Sequence, residues 1–370
     1  MVGAGTLGIF IIAAIVASFV SLPYYRISPG SVYDTIERVS APVDQINIPD
    51  GEIGFVTVSQ TANISVWEWA WAGIDGDSII RHEDEVNGDR TTEEKREADR
   101  RRMQVSKSAA VVVALQRLGY ELIVTPTGVE VAAIFDCSAA DGTLGTGDVI
   151  IGVDDAEVLT VEALLEQLSG KGIGDELELT VERIDPNNPT RSIATEVVGV
   201  TLGSADADCL PEDVRAEEPR PFIGIGTAQM ADEDLPFDVD IDTGRVGGPS
   251  AGLAFTLAVI DVLSEGELTN GLNIVATGTI NRAGQVGPVG GIHQKTVAAE
   301  RAGADVFIVP ACCEGQVDPE TGEPLPTNYE TALANADDMI VIGVETLDDA
   351  LAAIGELGGD VDEFLVAMDA

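Results

Sequence analysis

The chain is short of the residues that most often build metal and nitrogen-base sites. It holds two histidines, His82 and His293, and four cysteines, Cys137, Cys209 and the adjacent Cys312 and Cys313. No C-x-x-C spacing occurs among them, so no metal ligand set is expected. Four cysteines allow three pairings, and the sequence leaves open both a Cys137–Cys209 bridge and four buried thiols. Positive charge is scarce as well: 20 basic residues stand against 64 acidic ones, a formal net charge of −44. Such a surface repels phosphate backbones, which argues against nucleic acid as a partner. A nucleotide site is missing too. The glycine-rich stretch from Gly142 to Asp148 runs into a strand pattern and lacks the Lys and Ser or Thr that complete a phosphate loop. Neither ATP nor any other cofactor is expected. What remains is a chain that is 45% apolar, enough for real cores in two or three domains.

The first feature present is a long uncharged run. Residues 3–23 carry no Asp, Glu, Lys or Arg and match the ~20 residues that cross a ~30 Å hydrocarbon core as a helix. The run exceeds the roughly 7–15-residue apolar region of a cleavable signal peptide, so a retained transmembrane anchor over residues 1–25 is expected, while the small residues Ala17 and Ser18 leave cleavage open. Arg26 directly after it opposes, on charge alone, placing the remainder outside the cytoplasm.

Residues 26–117 read as an N-terminal region with a strand at Gly54-Phe55-Val56-Thr57-Val58 and a charged helix. Thr91 and Glu94 have capping-box spacing, and that helix is expected to reach Leu118 before Gly119. Trp67, Trp69 and Trp71 are expected to pack in a core or domain contact in preference to forming an aromatic belt at a bilayer. Residues 118–203 change texture to strand-like runs at 129–135, 148–153 and 176–183 with one helix at 160–168, a small β-rich domain. Residues 204–220, acidic and holding Pro211 and Pro219, read as a linker. Residues 221–370 alternate strand runs at 222–226, 274–280, 306–309 and 339–341 with helices at 250–264 and 292–302. The whole is an α+β protein.

In the last domain Gly247-Gly248-Pro249-Ser250-Ala251-Gly252 leads directly into an apolar helix. Ser250 therefore sits where unpaired amides and a positive helix end gather, a place suited to an oxyanion. A serine needs a base, and after Pro221 the chain offers two nitrogen bases, His293 and Lys295. Two positions apart on a helix, they face different ways and cannot both reach Ser250. Taken alone, each residue has a plainer role, since Ser before an apolar helix is often a cap and a helical lysine is usually solvated. His293 is expected to be incidental, and Asp154-Asp155 and Asp337-Asp338 to be surface.

Two resemblances lift these residues above the plain reading. Gly142-Thr143-Leu144-Gly145-Thr146-Gly147-Asp148-Val149-Ile150-Ile151-Gly152-Val153-Asp154, with Val131, Ile134, Ser138 and Ala140 ahead of it, resembles bacterial PDZ domains. That implies recognition of peptide ends by strand addition, with Leu118-Gly119-Tyr120 as the counterpart of the carboxylate-binding loop. Gly248-Pro249-Ser250-Ala251-Gly252, Thr277-Gly278-Thr279-Ile280, Gly290-Gly291 to Lys295, Arg301-Ala302-Gly303-Ala304 and Val306-Phe307-Ile308-Val309-Pro310 resemble the proteolytic domain of Lon peptidases. By that resemblance Ser250 is the nucleophile, Lys295 its base and Thr277 a hydroxyl orienting the amine. The amide of Ser250, with Gly248 or Gly247, is expected to form the oxyanion hole.

Gly247 stands where ATP-dependent Lon proteins commonly carry Asp, and Thr279 where they carry Glu. Both departures resemble the smaller ATPase-free relatives that join a membrane segment, a PDZ domain and a Lon-type domain. The resemblance implies an ATP-independent serine endopeptidase acting on proteins or peptides at the outer face of the cell membrane, overriding the charge around the anchor, with a hexameric ring as a plausible assembly. Two rival expectations are a membrane-tethered PDZ adaptor with an inactive Lon-like domain and a serine hydrolase acting on esters.

Overall fold

The structure is a computed structural model and describes residues 20–43, 45–47, 49–88, 91–135, 138, 140, 142–185, 188–205, 210, 218–312, 325–361 and 364. Among the described residues no helix is long and apolar enough to cross a membrane. Residues 1–19 of the expected anchor lie outside them, and its last two residues, Tyr24 and Tyr25, already belong to a strand. Cys137, Cys209 and Cys313 and most of the expected linker also lie outside the described residues.

The chain forms two compact units, one made of residues 1–121 with 236–370 and the other of residues 122–235. In the first unit β1 (Tyr24–Asp34), β2 (Glu52–Thr61), α1 (Val66–Asp75), β3 (Ile79–His82) and α2 (Thr92–Arg117) come first. α2 starts at the expected capping box, in which Thr91 Oγ1 accepts from the Glu94 amide while the Glu94 carboxylate accepts from the Thr91 amide. Its charged first half is solvated, whereas Ala109 to Leu115 are buried on every side.

The second unit contains β4 (Ile123–Ile134), β5 (Val149–Val153), α3 (Val161–Leu168), β6 (Glu176–Asp185), β7 (Asn188–Thr201) and β8 (Ile225–Asp234). The strands form an antiparallel sheet in the order β8-β4-β5-β6-β7. Val129, Val131, Ile150, Leu164, Leu177, Leu179 and Val181 close its core. The glycine-rich turn folds onto Asp148, whose carboxylate accepts from the Gly145 amide at 2.6 Å and pairs with Arg183. The strand expected at 222–226 in the last domain belongs here instead: Ile225 opposite Ile134 opens the β8–β4 ladder.

The first unit then resumes with α4 (Gly252–Leu263), β9 (Asn273–Ala276), α5 (Ile292–Ala302), β10 (Val306–Pro310), α6 (Asn328–Asn335), β11 (Ile340–Val344) and α7 (Leu347–Glu356). Its sheet has the order β11-β10-β9-β2-β1-β3, with the first four strands parallel and the last two pairings antiparallel. The region 26–117 is therefore no separate domain. β2 fills the slot beside β9, with Glu52 opposite Asn273 and Phe55 opposite Ala276, a pairing across more than two hundred residues that no local pattern discloses.

Strand alternation sends neighbouring side chains of β2 to opposite faces. Phe55 meets Phe255 of α4 edge-on, and Val56 packs with Val275, Phe307, Ile292 and Ala299 on the α5 side. α4 and α5 thus cover opposite faces of one sheet. The ladder expected at 274–280 stops at Ala276, because the Gly278 amide turns to donate to the Ser250 carbonyl at 2.9 Å.

α2 and α4 approach closely at Gly252, where an added Cβ meets Ser106 Oγ at 2.9 Å and the Ile280 amide nitrogen at 3.0 Å. Gly→Ala in a helix ordinarily gains up to ~1 kcal/mol. Gly252→Ala is expected to do the reverse and lose about 1–3 kcal/mol through overpacking. Denaturant unfolding checks the sign.

Candidate active site

The turn before α4 is held from three directions. Ser106 Oγ on α2 donates to the Pro249 carbonyl at 2.9 Å, and the Gly248 amide donates to the Asp99 carbonyl at 2.7 Å. From the end of β9, Thr277 Oγ1 and the Gly278 amide both donate to the Ser250 carbonyl at 2.9 Å. Gly248 adopts a φ of 95° to make this path, a conformation L side chains avoid. Glycine at 247 has a packing cause, since a Cβ there meets the Asp99 Cβ at 3.2 Å. Sequence reasoning missed Asp99 and Ser106 altogether, for they sit in a charged helical stretch with no motif of their own.

α5 supplies the candidate base. Its N-cap Gly291 is left-handed with a φ of 67°, and a Cβ there meets Val58 at 2.9 Å, so the glycine lets the helix start tightly against β2. Lys295, one turn on, is only 2% exposed although it is among the longest side chains in the core. Its Nζ lies 2.8 Å from Ser250 Oγ and 2.7 Å from Thr277 Oγ1, donating to both. The Thr277 hydroxyl proton is already committed to the Ser250 carbonyl, so its oxygen is left to accept from the amine. Burial alone lowers the Lys295 pKa from 10.5 to about 7. The other three lysines of the chain, Lys95, Lys107 and Lys171, each pair with an aspartate. Lys295 meets hydroxyls and no carboxylate.

His293 points elsewhere, with Nδ1 2.7 Å from Asn335 Oδ1 of α6. The oxyanion assignment narrows. The Gly248 amide is spent on Asp99, while those of Gly247 and Ser250 have no partner among the described residues. The amides of Leu118, Gly119 and Tyr120, the expected carboxylate-binding loop, donate to the Ala114, Gln116 and Leu115 carbonyls and so close the end of α2. Gly119, at a φ of 82°, is the helix-terminating residue.

Around Ser250 and Lys295 opens a cleft of about 900 Å³, lined by β1, β2, α2, the 245–251 turn, Thr279 and the 288–291 loop. β2 runs on beyond the register at Phe55 where β9 stops, so the edge of Val56 to Gln60 on that side lines the cleft with no ladder partner among the described residues. Such an edge accepts an extended chain. Lys95, Arg96, Arg100 and Arg245 line the same cleft with Asp99 as its one acidic residue among those described, a cationic mouth on a chain of net charge −44.

Residues 227–353 match the family model of the Lon protease (S16) C-terminal proteolytic domain, and residues 116–197 match that of the PDZ domain. A 109-residue segment is 38% identical to the Lon protease of Clostridioides difficile, covering 30% of this chain and 13% of that protein. Another of 209 residues is 25% identical to the Lon protease of Campylobacter concisus, covering 53% of this chain and 22% of that protein. This chain therefore spans less than a quarter of the length of either relative. The crystal structure of the PDZ domain of the SdrC-like protein from Listeria monocytogenes is 21% identical, covering 28% of this chain and 90% of that one with a TM-score of 0.22. A Lon protease proteolytic domain and a PDZ domain are thus both found in the chain.

Proposed function

We propose that this chain is an ATP-independent serine endopeptidase in which Ser250 is the nucleophile and Lys295 the general base. The observation that carries the reading is the uncompensated burial of the Lys295 amine 2.8 Å from Ser250 Oγ. An ordinary lysine is neutral about once in 2,500 molecules at pH 7, whereas one with a pKa of about 7 is neutral in half of them. The neutral amine donates to Thr277 and turns its lone pair to the Ser250 hydroxyl. As Oγ attacks the peptide carbonyl carbon, the hydroxyl proton passes to Nζ. The oxyanion that forms is received by the Gly247 and Ser250 amides. The ammonium then returns the proton to the leaving nitrogen as the C–N bond breaks, and water completes the cycle from the acyl-enzyme by the same proton path.

The free β2 edge favours an extended polypeptide over a small ester. The run at residues 3–23 acts as a single membrane anchor, the PDZ domain recruits or regulates substrates at the outer face of the membrane, and a hexamer is the assembly the reading favours.

Ser250→Ala and Lys295→Ala are each expected to lower kcat on an unfolded protein substrate by at least about a thousandfold, without ATP in the assay. Wild-type kcat/KM is expected to rise through an apparent pKa of about 7; near-normal turnover by a folded Lys295→Ala variant contradicts the dyad.

The same burial sets a stability profile. An unfolded chain keeps this lysine protonated up to 10.5 while the folded chain releases the proton near 7. Between those values the unfolded state binds more protons, so folding stability rises with pH, and below 7 the cost of burial is felt in full. Lys295→Met is expected to unfold at a higher temperature than wild type at pH 7, with the gain shrinking as pH approaches 10.5. A difference that does not change with pH contradicts the shift.

The cationic mouth predicts that peptides with acidic residues flanking the cleavage site have a higher kcat/KM than matched basic ones, and that salt erodes the difference. Equal cleavage of both at low salt speaks against it.

A further inference from the structure

The three tryptophans of the chain, Trp67, Trp69 and Trp71, all lie on α1, and the expectation that they pack in a core or domain contact is not met. Trp67 is 52% exposed, Trp71 62% and Ile74 77%, Ala70 between them is exposed as well, and Trp69, on the other side of the helix, is 48% exposed. Positions 67, 70, 71 and 74 are spaced i, i+3, i+4 and i+7, the pattern of an apolar helical stripe. Here the stripe faces outward and carries no charge. In a chain with 64 acidic residues, two exposed tryptophans and an isoleucine in one row make a patch of the kind that marks an interaction site.

The position of the helix names the occupant. Ser65, the N-cap of α1, forms a β-bridge with Ser21, and the Leu22 amide donates to the Ile64 carbonyl at 2.8 Å. Ser21 and Leu22 directly precede Pro23, the last residue of the uncharged run at 3–23. The helix is thus tied by hydrogen bonds to the point where that run ends. Tryptophan prefers the membrane–water boundary, where its ring is apolar and its N–H stays wet. We propose that α1 lies on the bilayer surface beside the anchor, with Trp67, Trp71 and Ile74 embedded among the lipid headgroups and upper acyl chains. This rests on the membrane anchor proposed above. It fixes the first unit against the membrane by a second contact, so that its orientation is set by α1 and not by the anchor alone.

The tryptophans themselves report on this. The full-length chain is reconstituted into phosphatidylcholine vesicles with and without bromine on the acyl chains near the headgroup, and vesicle flotation is read alongside fluorescence. The expected result is co-flotation, a blue-shifted emission and loss of most tryptophan intensity in the brominated vesicles, with Trp69 as the remaining emitter. Co-flotation with emission indifferent to bromine overturns the proposal while leaving the anchor standing; a blue shift without bromine quenching then assigns the stripe to a second protein copy. Failure to float overturns the anchor and this contact with it. Replacing Trp67, Trp71 and Ile74 by serine, all at exposed positions, is expected to abolish the bromine-sensitive part of the signal while flotation persists; an unchanged bromine response contradicts the assignment to this stripe.

Discussion

Everything at the site depends on keeping one amine out of water without giving it a counter-ion. Burial disfavours the charged form of lysine, but a neighbouring carboxylate would reverse that and hold the proton on. The chain places aspartates against each of its other lysines and hydroxyls against Lys295. In a molecule so rich in acid, the amine of Lys295 has hydroxyls and no carboxylate within hydrogen-bonding reach among the described residues, and that separates it from an ordinary cation. The burial is unfavourable to folding at neutral pH and is sustained by the packing of the surrounding core.

The fold makes that arrangement possible by letting two helices on opposite faces of a sheet meet where a strand ends. β9 stops at Ala276, and the next residues turn to bond the Ser250 carbonyl from one side and Lys295 from the other. Thr277 is therefore the joint between Ser250 and Lys295. From outside, α2 holds the turn through Asp99 and Ser106, so this helix is as much a part of the candidate site as α5.

Legibility followed the range of the interactions. Ser250, Thr277 and Lys295 lie in short motifs whose glycines answer local needs, and α5 begins and ends at the residues its pattern indicated, Ile292 and Ala302. The facing of His293 away from Lys295 followed from helical geometry. The place of β2 beside β9 did not, because partners so far apart leave no periodic trace, and the same holds for the support from α2. Gly248 and Leu118-Gly119-Tyr120 show a second limit: a sequence shows which amides exist but not which are already bonded. The tryptophans were misread for a related reason, since an i, i+3, i+4, i+7 stripe looks the same whether it faces a core or the outside.

The most direct test is the titration of Lys295 itself, followed by NMR in protein labelled at the lysine side-chain ε carbon, where only four signals are possible and Lys295→Met assigns the one that matters. The Lys295 signal losing its proton near pH 7 is the predicted result. A Lys295 that remains protonated beyond pH 10 would contradict the account at its root.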